Sequence, residues 1–266
     1  VTQAEQRLTV QITHALHAIG QQIAGKLRHL GKAAEEEEED ERDAVDAADW
    51  AGIASAAAVE LEAVARDGVH QTFTEIGITD QGITDQTFDA AVEDARARAA
   101  ELVGMSWDDD GNLIDNPDAD MAITDTVRDS IRQAVADAIE AGDSPAQLAA
   151  RIEGLGEFSA DRAEMISRTE IIRSHAQGQL AALKSSGVVE EKGWSTAEDG
   201  DVCDDCEGNA DAGAIDLDDD FPSGDDAPPA HPACKCAITA EFEESDDDDD
   251  SDDASDDSDD EDEDDD

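Results

Sequence analysis

Apolar residues recur every three or four positions at Leu8, Ile12, Leu16, Ile19, Ile23, Leu27 and Leu30. That period is one face of an α-helix, with Gly31 as its stop. Such a face suits a partner or targeting helix as well as one packed on its own domain. An Ala-rich helical pattern follows over residues 44–66, and Asp67-Gly68 predicts its end. Residues 77–86 read Gly-Ile-Thr-Asp-Gln twice. Each Thr-Asp pair can cap a helix, and the second predicts one over residues 85–103. Two copies of so short a unit are a local duplication, because repeat architectures need a longer period. Ile123, Val127, Ile131, Val135 and Ile139 form a strict four-residue stripe, with Thr124 or Asp125 as its cap and Gly142 as its end. Ser144-Pro145-Ala146-Gln147 is a capping box with Pro at the first helical position. Ser159 caps a further helix running to about Lys184, closed by Gly187. From Val188 the character changes to a strand-and-loop region rich in Gly, Pro and Asp, with Trp194-Ser-Thr beginning it.

Composition alters this picture in one respect. The chain has 266 residues, with 72 acidic and 17 basic side chains and a net charge of −55. Residues 245–266 hold 17 of those acids and no base, so most of the surplus lies on segments whose apolar periodicity predicts folding. Low hydrophobicity with high net charge predicts disorder only for the tail and for the acidic run at residues 35–43, a linker or a solvated helical extension. Elsewhere, widespread Asp and Glu with little Lys fits a cytoplasm of molar salt, where the screening length is roughly 3 Å and surface repulsion fades. The acidity leaves no basic footprint for nucleic acid. No apolar run is long enough to span a bilayer, and residues 1–30 lack the pattern of a secretory signal. Asp108, Asp110, Gly111 and Asn112 faintly suggest a calcium loop, but Ser106 and Pro117 stand where the terminal acidic ligands belong. An acidic turn between helices is the expectation there.

Every cysteine falls in the last third. Cys203-Asp-Asp-Cys206 is followed by His231-Pro-Ala-Cys234-Lys-Cys236. Cys-x-x-Cys puts two thiolates on one tight turn, as tetrahedral zinc requires, and a second pair comes from across a loop. Cys203 and Cys206 are the firm pair, while His231, Cys234 and Cys236 compete for the other positions. An extended Cys-x-Cys is expected to turn only one of its two sulfurs to the metal. Five candidates for four positions favour a closed structural zinc site over a catalytic one. Redox chemistry is disfavoured because Cys203 is not expected to start a helix in a strand–helix unit, and plain free thiols are the remaining alternative. A small acidic loop region with little core would owe most of its stability to that metal.

The order of motifs is specific beyond any one of them. Arg168-Thr169-Glu170 lies on a helix, then come Gly187, Lys192-Gly-Trp194-Ser-Thr196 and the Cys203/Cys206 pair. Phe221, Gly224, Pro228-Pro229 and the His231/Cys234/Cys236 run follow. This set, over about residues 160–240, resembles the phage Mu F-like head morphogenesis family, the minor head proteins of tailed viruses. One departure is Cys-Lys-Cys where members usually show Cys-Arg-Cys; Lys keeps the charge but loses bidentate pairing. The resemblance implies a protein of the virion head, present in the host cytoplasm during assembly. Its implied partners are the portal and capsid proteins, with viral DNA as a further candidate during packaging or ejection, and no membrane. It implies no enzymatic activity; the alternative is a zinc-dependent hydrolase or toxin-like effector. With the acidic composition, it implies a virus or provirus of a halophilic archaeon. Arg168 and Glu170 are expected to form a buried polar pair locking their helix onto the zinc region, and Trp194 to be core. His175 is expected to be structural, and His14, His17 and His29 to lie at the surface or in helix packing.

The expected fold class is α+β: a mostly α-helical N-terminal two-thirds, a small zinc-stabilised strand and loop C-terminal domain, and a disordered acidic tail. The expected divisions are residues 1–43 (amphipathic helix and linker), 44–158 (helical region), 159–242 (Mu F-like domain) and 243–266 (tail).

Overall fold

The structure is a computed structural model that describes residues 2–27, 45, 48–119, 122–141, 145–197, 200 and 202–242. The expected stop at Leu30-Gly31, the acidic run 35–43, Gly142, the Ser144 cap, His29 and the acidic tail lie outside these residues. The described part is mostly helical, with small antiparallel sheets towards its C-terminal end.

Helix α1 (Thr2–Leu27) buries Leu8, Ile12, Leu16, Ile19 and Ile23 almost completely, so its apolar face packs within this chain against its own neighbours. Helix α2 (Trp50–Glu75) starts at Asp49, whose carboxylate accepts the Gly52 N–H at 3.1 Å. It runs straight through Asp67-Gly68, where the sequence predicts its end. Gly68 serves contact rather than termination. A Cβ there would strike the His175 carbonyl of helix α6 (Ala160–Ser186), and one at Gly178 would strike the Ala65 carbonyl of α2. Two glycines therefore let α2 and α6 cross at backbone contact, at some cost in helix propensity.

Helix α3 (Gln81–Glu101) is capped by Asp80, which accepts from Gly82 and Ile83. The first Thr-Asp of the duplicated pentapeptide is thus the cap, and the second lies within the first helical turns. The segment expected as an acidic turn is instead a hairpin of β1 (Met105–Trp107) and β2 (Leu113–Asp115). Its strands are too short for a period-two pattern to register. Asp108 accepts the Asp110 and Asn112 N–H groups and Gly111 takes φ 79°, which closes the loop. Helix α4 (Ile123–Ala141) begins before Thr124 and Asp125, so both sit in its first turn instead of capping it. Helix α5 (Pro145–Glu153) opens on Pro145 as expected. Ser159 caps α6 through the Arg162 N–H, and Gly187 closes it in the left-handed conformation at φ 65°.

Residues from α1 to α6 share one apolar cluster. The C-terminal half of α6 keeps Ala182 in it and turns another face to a second cluster, in which Leu180 and Leu183 join Val189, Leu217 and Ile238. There a three-stranded sheet sits, with β3 (Glu191–Ser195) between β4 (Ile215–Asp216) and β5 (Ala237–Glu241). Its register pairs Trp194 with Ile238 and Lys192 with Ala240. A short helix α7 (Asp204–Asp211) packs beside it.

Candidate metal centre

The chain brings the two cysteine motifs together beyond one end of the sheet. Cys203 is the cap of α7 and its sulfur accepts the Cys206 N–H at 3.4 Å, so the Cys-x-x-Cys turn is the first turn of a helix. Cys234 and Cys236 arrive just before β5. Cys234 lies next to Ala233, which holds φ 62°, a left-handed conformation uncommon outside glycine.

Two sets of donors converge. Cys203, Cys206 and His231 have ligand atoms within 4.8 Å of one another, and so do Cys206, Cys234 and Cys236. Cys206, Cys234 and Cys236 are all buried. The expectation that only one of Cys234 and Cys236 would turn inward is therefore corrected. Residues i and i+2 share a face of an extended chain, so Cys-x-Cys points both sulfurs the same way. The Cys206 and Cys234 sulfurs are 3.7 Å apart. A zinc–sulfur bond of about 2.3 Å puts tetrahedral ligands about 3.8 Å apart, so this spacing suits shared ligation and is far too long for a disulfide of about 2.05 Å. None of the four cysteines is disulfide-bonded. Burial, and then contact with Cys236, Cys203 and Cys234, push the Cys206 thiol well above its ordinary range. Several thiolates can coexist in so small a volume only around a cation. The donor set fits a soft divalent ion such as zinc.

Trp194 is core, as expected. It is 5% exposed and meets Phe221 edge-on at 5.0 Å between ring centroids, in one apolar cluster with Cys206, Cys234 and Cys236. Beside it lies the least exposed long side chain of the region. Lys192 is 0% exposed, and its ammonium donates to the Leu217 carbonyl at 3.0 Å and the Asp226 carbonyl at 2.9 Å, 5.4 Å from the Phe221 ring centroid. Burial lowers its pKa. It ties the 217–226 loop across β3. Asn209 of α7 ties the same loop by accepting the Ser223 N–H and donating to the Ser223 hydroxyl. Sequence reasoning saw Lys192 only as part of a motif. A lone Lys inside a β-run is the signal that could have marked it, because lysine is almost never fully buried without partners.

The three residues Arg168, Thr169 and Glu170 do not act as the expected Arg–Glu pair. Adjacent helical positions diverge by about 100° each, so Arg168 and Glu170 leave α6 in different directions. Arg168 reaches Glu5 of α1 at 3.1 Å and Glu164 at 3.0 Å. Glu170 accepts two N–H groups of Arg98 on α3, both at 2.9 Å, with 5% of its side chain exposed. Thr169 alone reaches the cysteine loop: its hydroxyl accepts the Ala233 N–H at 2.9 Å and donates to the Met165 carbonyl at 2.8 Å. One turn of α6 thus fastens three separate elements. Arg98 gave no sign of this in the sequence, since α3 is rich in alternating charges. His175, on the same helix, lies 4.0 Å from Asp67 and 3.1 Å from Gln179, with none of the cysteines among its partners.

Residues 129–239 match the family model described as Phage Mu protein F like protein. Over this stretch the chain matches the Phage Mu F-like family. It contains α6 with its Arg168-Thr169-Glu170 turn, Trp194 and all five sulfur and nitrogen donors. No curated protein and no solved structure matches the chain. Among the described residues no helix is long and apolar enough to cross a membrane.

Proposed function

We propose that this protein is a minor head protein of a tailed virus or provirus, joining the portal vertex during head assembly. Its C-terminal unit, residues 159–242, is held together by one structural zinc ion. The family match over residues 129–239 carries this reading. Fold alone would not, since function resides in sites grafted on folds. The partners are the portal and capsid proteins, and the site is the virion head, reached from the host cytoplasm. The Arg168-Thr169-Glu170 turn then serves assembly indirectly, by holding the metal loop against the helical body. The chain acts as an interaction module rather than an enzyme, because five donors for four positions favour a closed coordination sphere. Its acidity, net −55, favours a host that keeps molar salt in its cytoplasm.

Peptide mass spectrometry of DNA-filled particles purified in high salt tests this. Peptides of this chain at a few copies per portal support the reading. Full particles and empty precursor heads that both lack it, with portal and capsid peptides well covered, would reject it.

A further inference from the structure

Four positions around a tetrahedral ion leave one of the five donors out. The choice lies between Cys236 and His231: Cys206 joins both converging sets, the Cys203 sulfur accepts the Cys206 N–H, and the Cys234 sulfur lies 3.7 Å from that of Cys206. Resting on the metal reading above, we propose that Cys203, Cys206, Cys234 and Cys236 hold the ion, that His231 stays outside, and that the Trp194 indole N–H donates to the Cys236 sulfur.

Sheet register places the tryptophan for this. Trp194 pairs with Ile238, and Cys236 lies two residues before Ile238, so Cys236 and Trp194 are diagonal neighbours on one sheet face. Side chains as long as an indole reach across that diagonal. The Trp194 Nε1 is buried and closes no hydrogen bond with any group of normal geometry. A buried unpaired donor is costly, and a neutral thiol is a poor acceptor for it. A metal-bound thiolate at Cys236 is a good one. Cys203 has a matching N–H donor in Cys206, so ligand sulfurs at opposite ends of the set are each supported. Cys206 lies within 4.8 Å of each of the other three sulfurs, which makes it the hub of a four-sulfur set.

His231 lacks such a claim. Its Nδ1 lies 2.9 Å from the Pro232 carbonyl, and the ring is only half-buried. Water can satisfy its other nitrogen at no cost. Excluding Cys236 instead would leave both a buried thiol and the Trp194 N–H without a charged partner.

Cobalt(II) titration of the metal-free full chain, reduced and in high salt, distinguishes the sets. The expected result is one ion per chain with a four-thiolate spectrum. His231→Ala should leave the band positions and intensity unchanged. Cys236→Ser should lower the sulfur-to-cobalt charge-transfer intensity by about a quarter, one thiolate in four, and weaken binding. Trp194→Phe should keep the four-sulfur spectrum while weakening affinity about 10–100-fold, as loss of a supporting hydrogen bond does. Because that variant also removes core volume, NMR of the cadmium-loaded wild type provides a second reading: the Trp194 Nε1–H resonance should show coupling to the ion through Cys236. A spectrum that changes with His231→Ala and not with Cys236→Ser overturns the ligand set. Wild-type affinity in Trp194→Phe, or no coupling, overturns the hydrogen bond. A wild-type chain that takes up no cobalt removes the metal reading itself and leaves the family assignment standing.

Discussion

Thr169 decides more than its size suggests. Its hydroxyl is the link between α6 and the left-handed Ala233, which sets the direction of Cys234. Thr169→Val keeps the shape and removes the acceptor, leaving the Ala233 N–H unpaired. The expected cost is about 1–3 kcal/mol, read as a lower denaturation midpoint. Zinc affinity should fall with it, because the loop loses its orientation. A variant with unchanged midpoint and unchanged affinity would remove Thr169 from this role. The same residue scale separates Arg168 and Glu170, which the sequence suggested as partners. They serve α1 and α3 separately, and the long reach to Glu5 and Arg98 is visible only after folding.

Between elements, the α2–α6 crossing brings two backbones into contact at Gly68 and Gly178. Gly178→Ala puts a methyl against the Ala65 carbonyl, so α6 must move away from α2. Overpacking of this kind costs about 1–3 kcal/mol, which thermal denaturation would register. Gly25 has open space around its position, so Gly25→Ala is the control and should be neutral or stabilising. The same crossing holds His175, whose pKa burial lowers against the smaller upward pull of Asp67. A histidine with a depressed folded pKa binds fewer protons folded than unfolded. Its contribution is complete above the unfolded value, about 6.5, and is lost as pH falls through the folded one. His175→Gln should therefore flatten the decline in stability below about pH 6.5. An unchanged pH slope in that variant would place the titrating group elsewhere.

At the scale of the molecule two forces are separable. Removing the metal with a chelator should loosen residues 202–238 while the helical body persists, because the third apolar cluster is small and built on cysteines. Hydrogen exchange should show lost protection in that segment and little change in α2 and α6. A uniform loss across the chain would mean that the metal supports the whole fold. Charge acts on everything at once. With a net of −55, self-repulsion should weaken as the screening length falls from about 10 Å at 0.1 M salt to about 3 Å at 1 M. The melting temperature should rise over that range, and a flat profile would contradict salt-screened stability.

Much of this protein was legible along the chain. Periodicity located α1 and α4, and the Ser159 and Gly187 end signals located α6, because a helix face and its caps are local properties of spacing. The Cys203/Cys206 and His231/Cys234/Cys236 motifs were legible for the same reason: ligand spacing is set by the turn that carries it. The short hairpin strands, the continuation of α2 through Gly68 and the capping by Asp80 were not, since each competes with an equally good local alternative. Sequence by itself determined which residues could ligate a metal and which helix would carry the Arg-Thr-Glu turn. Only the tertiary structure decided that Thr169 holds the cysteine loop, that Glu170 meets Arg98, and that Lys192 is buried against Phe221. The physical reason is distance along the chain. Helical and strand periods are written between near neighbours, whereas these contacts join residues far apart in sequence whose meeting depends on how all the elements pack.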